Sequence, residues 1–157
     1  MLPRSLPHTL RELGVDADAI ARELGAESAS ARMTVAQADA LLDRAFARVE
    51  DPAAGLRVGG RIQPELFGLP GLSAMAAPTF GAALARIERY KRLCSTDAIV
   101  LVPEGDTTVV RVLVARPEAA HARMRVDMEC AFLVCLDRKS TRLNSSHSGE
   151  SRMPSSA

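Results

Sequence analysis

The amino-acid pattern predicts an α+β fold, mostly helical, with a small antiparallel β-hairpin or sheet and an incomplete C-terminal end. Three observations lead there. Apolar residues recur at helical spacing through most of the 157-residue chain. The period shortens to two residues between Ala98 and Val114. A last amphipathic stretch then reaches residue 136 with no glycine or proline to stop it.

Each element has its own local reason. Leu6, Leu10 and Leu13 form a short stripe that ends at Gly14. Asp16 is placed as the N-cap of a second short helix, which Ile20 and Leu24 continue to Gly25. Residues 27–32, ESASAR, are polar and read as loop. Thr34 and Gln37 form the T-x-x-Q capping pattern that opens the clearest helix. On it Val35, Ala38, Leu41, Leu42, Ala45, Phe46 and Val49 mark the inner face, and Asp39, Asp43, Arg44 and Arg48 the outer one. Asp51-Pro52 starts a short helical turn through Leu56 to Val58, which Gly59-Gly60 is expected to stop. Residues 61–77, interrupted by Pro64, Gly68, Pro70 and Gly71, read as loop with one helical turn from Leu69. Thr79 caps the next helix, with Phe80, Ala83, Leu84, Ile87, Tyr90 and Cys94 inward and Arg86, Arg89 and Arg92 toward solvent.

AIVLV and TVVRVLV are β-branched runs joined by PEGD, where Gly105 and Asp106 suit a tight turn. Both faces of the second run are partly apolar, which predicts a sheet covered by helices. Pro117 is placed at the first position of a last helix, whose apolar stripe is Ala120, Met124, Met128, Ala131, Phe132 and Cys135.

Residues 137–157 differ from everything before them. They hold seven of the twelve serines and the only asparagine, whereas residues 1–136 contain a single lysine, Lys91. The tail lacks apolar periodicity, so it is expected to be disordered. Back-translated in one frame, Asp137–His147 and the end of Glu150 through Ala157 resemble a common short-read sequencing adapter, with a variable index between them. The tail is therefore expected to be non-native, and the natural chain to be cut short near Cys135 or Leu136.

The formal net charge is +1. Without the tail's four basic and two acidic side chains, sixteen basic groups face seventeen acidic, or −1. Neither value points to nucleic acid or an acidic membrane. No apolar run approaches the roughly 20 residues that cross a bilayer. The N-terminus lacks a signal region. A cytoplasmic location is expected. Cys94, Cys130 and Cys135 fit no zinc or redox spacing and read as buried free thiols. With no Trp and 3% aromatics, a ligand pocket here must rely on aliphatic walls.

His8 and His121 have no carboxylate or nucleophile at a revealing spacing, and Ser73 lies outside any G-x-S-x-G elbow. There is no H-E-x-x-H and no P-loop, so no enzyme, no metal and no cofactor is expected. Ala21 and Gly25 have helix-turn-helix spacing, but the second helix would begin inside ESASAR, ahead of its cap at Thr34. Asp16, Asp18, Glu23 and Glu27 would repel phosphate. The basic string from Arg86 to Arg92 reads as a solvated helix face.

Several strings together carry a family resemblance: LRELGVDADAIARELG, the DPAAGLRVG turn, the FGLPG loop, and the S-x-x-x-x-PTFGAAL-x-x-x-x-RY pattern. Over about residues 6–135 the chain resembles the N-terminal, arabinose-binding-type effector domain of AraC/XylS transcription regulators. The resemblance implies a non-catalytic sensor over residues 1–136 and the adapter-like tail over 137–157. It implies a small-molecule effector, a homodimer, and contact with operator DNA only through a missing C-terminal helix-turn-helix domain. The alternative is a free-standing helical module that binds DNA or protein without an effector. If a sensor, its pocket is expected in the loop from Phe67 to Ala77. Phe67, Leu69, Leu72 and Met75 are candidates for its walls, Tyr90 for a hydroxyl, and Arg111 for a charge.

Overall fold

In a computed structural model, residues 5–119 and 121–147 are described, with the side chains of Leu66 and of residues 140–147 left aside. They form α1 (Leu6–Glu12), α2 (Ala17–Glu23), α3 (Val35–Phe46), α4 (Ala54–Arg61), a 3₁₀ turn (Pro64–Leu66), α5 (Gly68–Met75), α6 (Phe80–Lys91), β1 (Ala98–Glu104), β2 (Thr107–Leu113) and α7 (Ala122–His147). The mostly helical α+β class is as predicted.

The caps explain where the helices start. The Asp16 carboxylate accepts from the Ala19 amide at 3.0 Å, and that bond holds its carboxyl below the ordinary range. Thr34 and Gln37 close the full reciprocal capping box. The Thr79 hydroxyl accepts from Ala82 N at 3.2 Å. The acidic residues of the second helix also have structural partners: Asp18 accepts from Ala29 N at 2.9 Å, and Glu23 pairs with Arg44 and Arg48 of α3. These surface pairs set geometry more than stability.

β1 and β2 pair antiparallel, with Glu104 opposite Thr107. Of the two turn residues, Gly105 takes positive φ, at 60°, and Asp106 does not, the pattern of a two-residue turn with glycine first. Ile99, Leu101 and Val110 pack on the core. Glu88 of α6 reaches β1 and accepts from Leu101 N at 3.1 Å. The expectation that helices cover both faces is corrected: Arg111 and Leu113 stand exposed on the opposite face.

Other local expectations are also revised. The stretch 61–77 is mainly the 3₁₀ turn and the two turns of α5 rather than loop. Pro70 is accommodated because it falls in the first turn of α5, where amides have no intrahelical acceptor. Gly68 starts that helix from φ +66°. Pro117 precedes α7 by five residues instead of opening it. Cys130 is exposed, and Cys94 and Cys135 are half-buried. Of the stripe on α7, Met128 and Phe132 are buried together with Leu133 and Leu136, and Met124, Ala131 and Cys135 are half-buried. α7 continues through His147, so residues 137–147 are helical in the structure, and Lys139 meets Glu65 at 2.8 Å. Residues 148–157 of the expected tail lie outside the described residues, as does Ala120 of the stripe.

The main packing seam joins α4 to α7. It explains why Gly59-Gly60 does not end α4. A Cβ at Gly55 would overlap the Met124 carbonyl, and one at Gly59 would overlap the Met128 carbonyl and crowd Ala131. Gly55 and Gly59, four apart, let the backbones of the two helices touch. Gly60 points to open space. Gly59→Ala is therefore expected to lower the unfolding free energy by about 1–3 kcal/mol through overpacking. Gly60→Ala should raise it by roughly 0.4–1 kcal/mol. Urea denaturation of the two variants measures both signs.

Candidate functional site

Two ionic assemblies lie side by side at the centre of the molecule. The first begins on α6. Ala83, Leu84 and Ile87 bury its inner face, and Lys91, four residues beyond Ile87, continues that face inward. Lys91 is 2% exposed. Its ammonium donates to Glu129 Oε1 of α7 at 2.6 Å, across 38 positions of sequence. The basic string was expected to be a solvated face. Arg89 and Arg92 are exposed, but Arg86 is half-buried and donates to the Ser73 carbonyl at 2.5 Å, and Lys91 is inside.

The second assembly is centred on Arg125, one helical turn before Glu129. Its Nε donates to Asp97 Oδ2 at 2.7 Å, its Nη2 to Asp39 Oδ1 at 2.7 Å, and its Nη1 to Asp43 Oδ1 at 3.0 Å. Asp39 also accepts from the Thr96 hydroxyl at 2.6 Å and the Thr96 amide at 3.0 Å. Asp97 accepts from Ala115 N at 2.9 Å. Arg116 and His121 lie against Asp43, the histidine Nε2 at 3.0 Å. Asp39 and Asp43 were assigned to the outer face of α3, yet both are buried. They lie one helical turn apart on the side that Arg125 of α7 reaches.

Burial pushes the Asp39 carboxyl up, but the bonds from Thr96 and Arg125 outweigh it and leave it below the ordinary range. Burial likewise opposes the charge on Arg125, and the bond to Asp39 and the charge of Asp97 more than restore it. Burial, then Arg125 and Arg116, push His121 down, so it is neutral at neutral pH.

A cavity of about 30 Å³ lies over the Lys91–Glu129 pair. Leu6, Leu42, Ile62, Phe67, Met128 and Phe132 form its apolar walls. Asp39, Ser95 and Cys94 join the ion pair on its polar side. Phe67 and Phe132 meet with ring centroids 5.4 Å apart and planes tilted by 58°. Burial raises the Cys94 thiol, which stays protonated and donates to the Lys91 carbonyl at 3.2 Å. The space suffices for a water molecule; a larger guest must part the walls.

Of the residues proposed from sequence, the cavity takes in Phe67. Met75 is half-buried against the core. Leu69 and Leu72, on α5, are 60% and 55% exposed. Tyr90 is half-buried, with Arg89 over its ring at 5.6 Å, and Arg111 is exposed on β2. The structure does not bring these five to the cavity with Phe67. Sequence reasoning missed Lys91, Glu129, Asp39 and Arg125. One signal was present: the single lysine of residues 1–136, at the inward spacing of its helix.

Among the described residues no group of three or more His, Cys, Asp and Glu could hold a metal ion. No helix among them is long and apolar enough to cross a membrane. His121 and Asp43 are in contact, and the Thr96 hydroxyl that shares the cleft with Asp43 donates to Asp39. A family model for the arabinose-binding domain of AraC transcription regulators, N-terminal, matches residues 5–144. Comparisons with curated proteins and with solved structures returned no match.

Replacing Arg125 with Met leaves three buried carboxylates without their common cation. A loss of about 3–5 kcal/mol in unfolding free energy is expected, measured by chemical denaturation. Acid should weaken the fold in two steps. His121 binds its proton less readily folded than unfolded, so stability falls as pH drops below the ordinary value of 6.5. Asp39 stabilises fully above its ordinary value of 3.8, and that contribution is lost as pH falls through its lower folded value. In melting curves against pH, His121→Gln should flatten the first step and spare the second.

Proposed function

The chain belongs to the family of N-terminal arabinose-binding domains of AraC transcription regulators, and on that premise we propose that it senses a small effector in the cavity over the Lys91–Glu129 pair. The observation that supports this site is its composition. Apolar walls converge on a few fixed polar groups, the usual make-up of a small-molecule pocket. The family is regulatory rather than enzymatic. In this reading the chain performs no catalysis, works in the cytoplasm, and holds residues 1–136 as its sensor unit ahead of the adapter-like stretch 137–157. The family's label does not choose the effector, because a fold hosts many ligands.

The mechanism is a population shift. A guest larger than the present cavity is bound only by an opened arrangement, so binding favours that arrangement. α7 transmits the change, since Glu129 lines the cavity and Arg125 on the same helix holds α3 and the start of β1. Operator DNA is read by a C-terminal helix-turn-helix domain of the regulator and not by these residues, and the sensor pairs as a homodimer.

A thermal-shift screen of sugars and other small metabolites tests the reading. A cognate effector at 100 times its Kd should add about 2.7 kcal/mol to stability. Leu42→Phe, which fills the cavity, should abolish the shift, whereas Leu72→Ala and Arg111→Ala, on the surface, should leave it intact. A shift that survives Leu42→Phe and disappears with Leu72→Ala would place the effector elsewhere. In gel shifts at low salt the chain alone should not retard random duplex DNA; retardation that fades steeply with salt would support a DNA-binding module instead.

A further inference from the structure

We infer that the cavity selects an effector with a short apolar body and a single ammonium head, which docks on Glu129. This rests on the sensor reading above and names the chemistry of the same site. The ion pair has bonding capacity to spare. Lys91 places one of its three N–H donors on Glu129 Oε1. Glu129 Oε2 has no hydrogen-bond donor among the described residues. A guest therefore meets both unused donors and an unused acceptor, and the surrounding charge decides which head is favoured.

That charge is negative. The buried charged side chains among the described residues are Asp39, Asp43, Asp97, Glu129, Lys91 and Arg125. Four carboxylates thus face two cations. Arg116 adds partial compensation from a side chain that is 59% exposed, and His121 is pushed toward its neutral form. A carboxylate guest on Lys91 would bring a fifth anion beside Glu129 and Asp39, in surroundings that screen poorly. An ammonium guest on Glu129 Oε2 leaves the existing pair intact and offsets the excess. Its apolar body then lies against Leu42, Phe67, Met128 and Phe132. A small body suits the space, because each added methylene must push those walls further apart.

The probes are n-butylammonium, butyrate and n-butanol, titrated into the full chain at matched ionic strength by calorimetry and thermal shift. The expected order places n-butylammonium first, with butyrate silent. Glu129→Gln should weaken the ammonium ligand roughly tenfold or more. Glu129→Asp should keep the preference, and Lys91→Met should bind the ammonium ligand at least as well as the parent chain. Circular dichroism establishes which variants fold. If Glu129→Gln does not, the ranking of the three probes on the parent chain decides by itself. Butyrate or butanol binding as tightly as n-butylammonium would overturn the ammonium head while leaving the cavity as the sensor site. Silence from all three would overturn both the head and this choice of cavity.

Discussion

Arg125 is the constraint on which the rest of the structure depends. One guanidinium reaches Asp39 and Asp43 on α3 and Asp97 at the entry to β1. Through Asp97 it also orders the exit of β2, whose Ala115 amide donates to the same carboxylate. A planar group with five fixed donors suits this work, since it can satisfy several carboxylates at set angles, which a lysine cannot do. Removing these charges from water is costly, and dense hydrogen bonding is what offsets it. The network therefore specifies how α3, α7 and the hairpin are arranged more than it adds to stability.

The glycines of α4 set the second constraint. Gly55 and Gly59 bring the α4 backbone onto that of α7. This holds α7 along a second face, about a quarter turn from the one Arg125 uses. Between the two seams α7 presents Met128, Glu129 and Phe132 to the cavity. Its wall is thus held from both flanks, while Phe67 enters from the short turn ahead of α5. A wall held firmly on two sides and met by a turn on the third suits a site that responds to its contents.

Much of the fold was legible in the sequence. Asp16, Thr34 and Thr79 mark helix starts through bonds to amides two or three residues away, so neighbouring residues suffice to locate them. The hairpin followed from β-branched alternation and Gly105. The glycines of α4 misled because their usual meaning is local. Gly59 was read as a breaker, whereas its lack of a side chain serves a contact with a helix some 70 positions away. The site was much less legible. Phe67 belonged to a recognisable loop. Asp39 and Asp43 looked like an ordinary polar face because their partner, Arg125, lies more than 80 positions on.

The sequence alone determined the class of the fold, the order of most of its elements, the helix caps at Asp16, Thr34 and Thr79 and the family, because caps, turns and periodicity are written in residues close together along the chain. Tertiary structure alone decided which charged side chains are inside. Burial of an ion depends on a partner brought from far along the chain, and neither Lys91 nor Glu129 carries a local mark of the other. The cavity they share exists only where α6 and α7 cross.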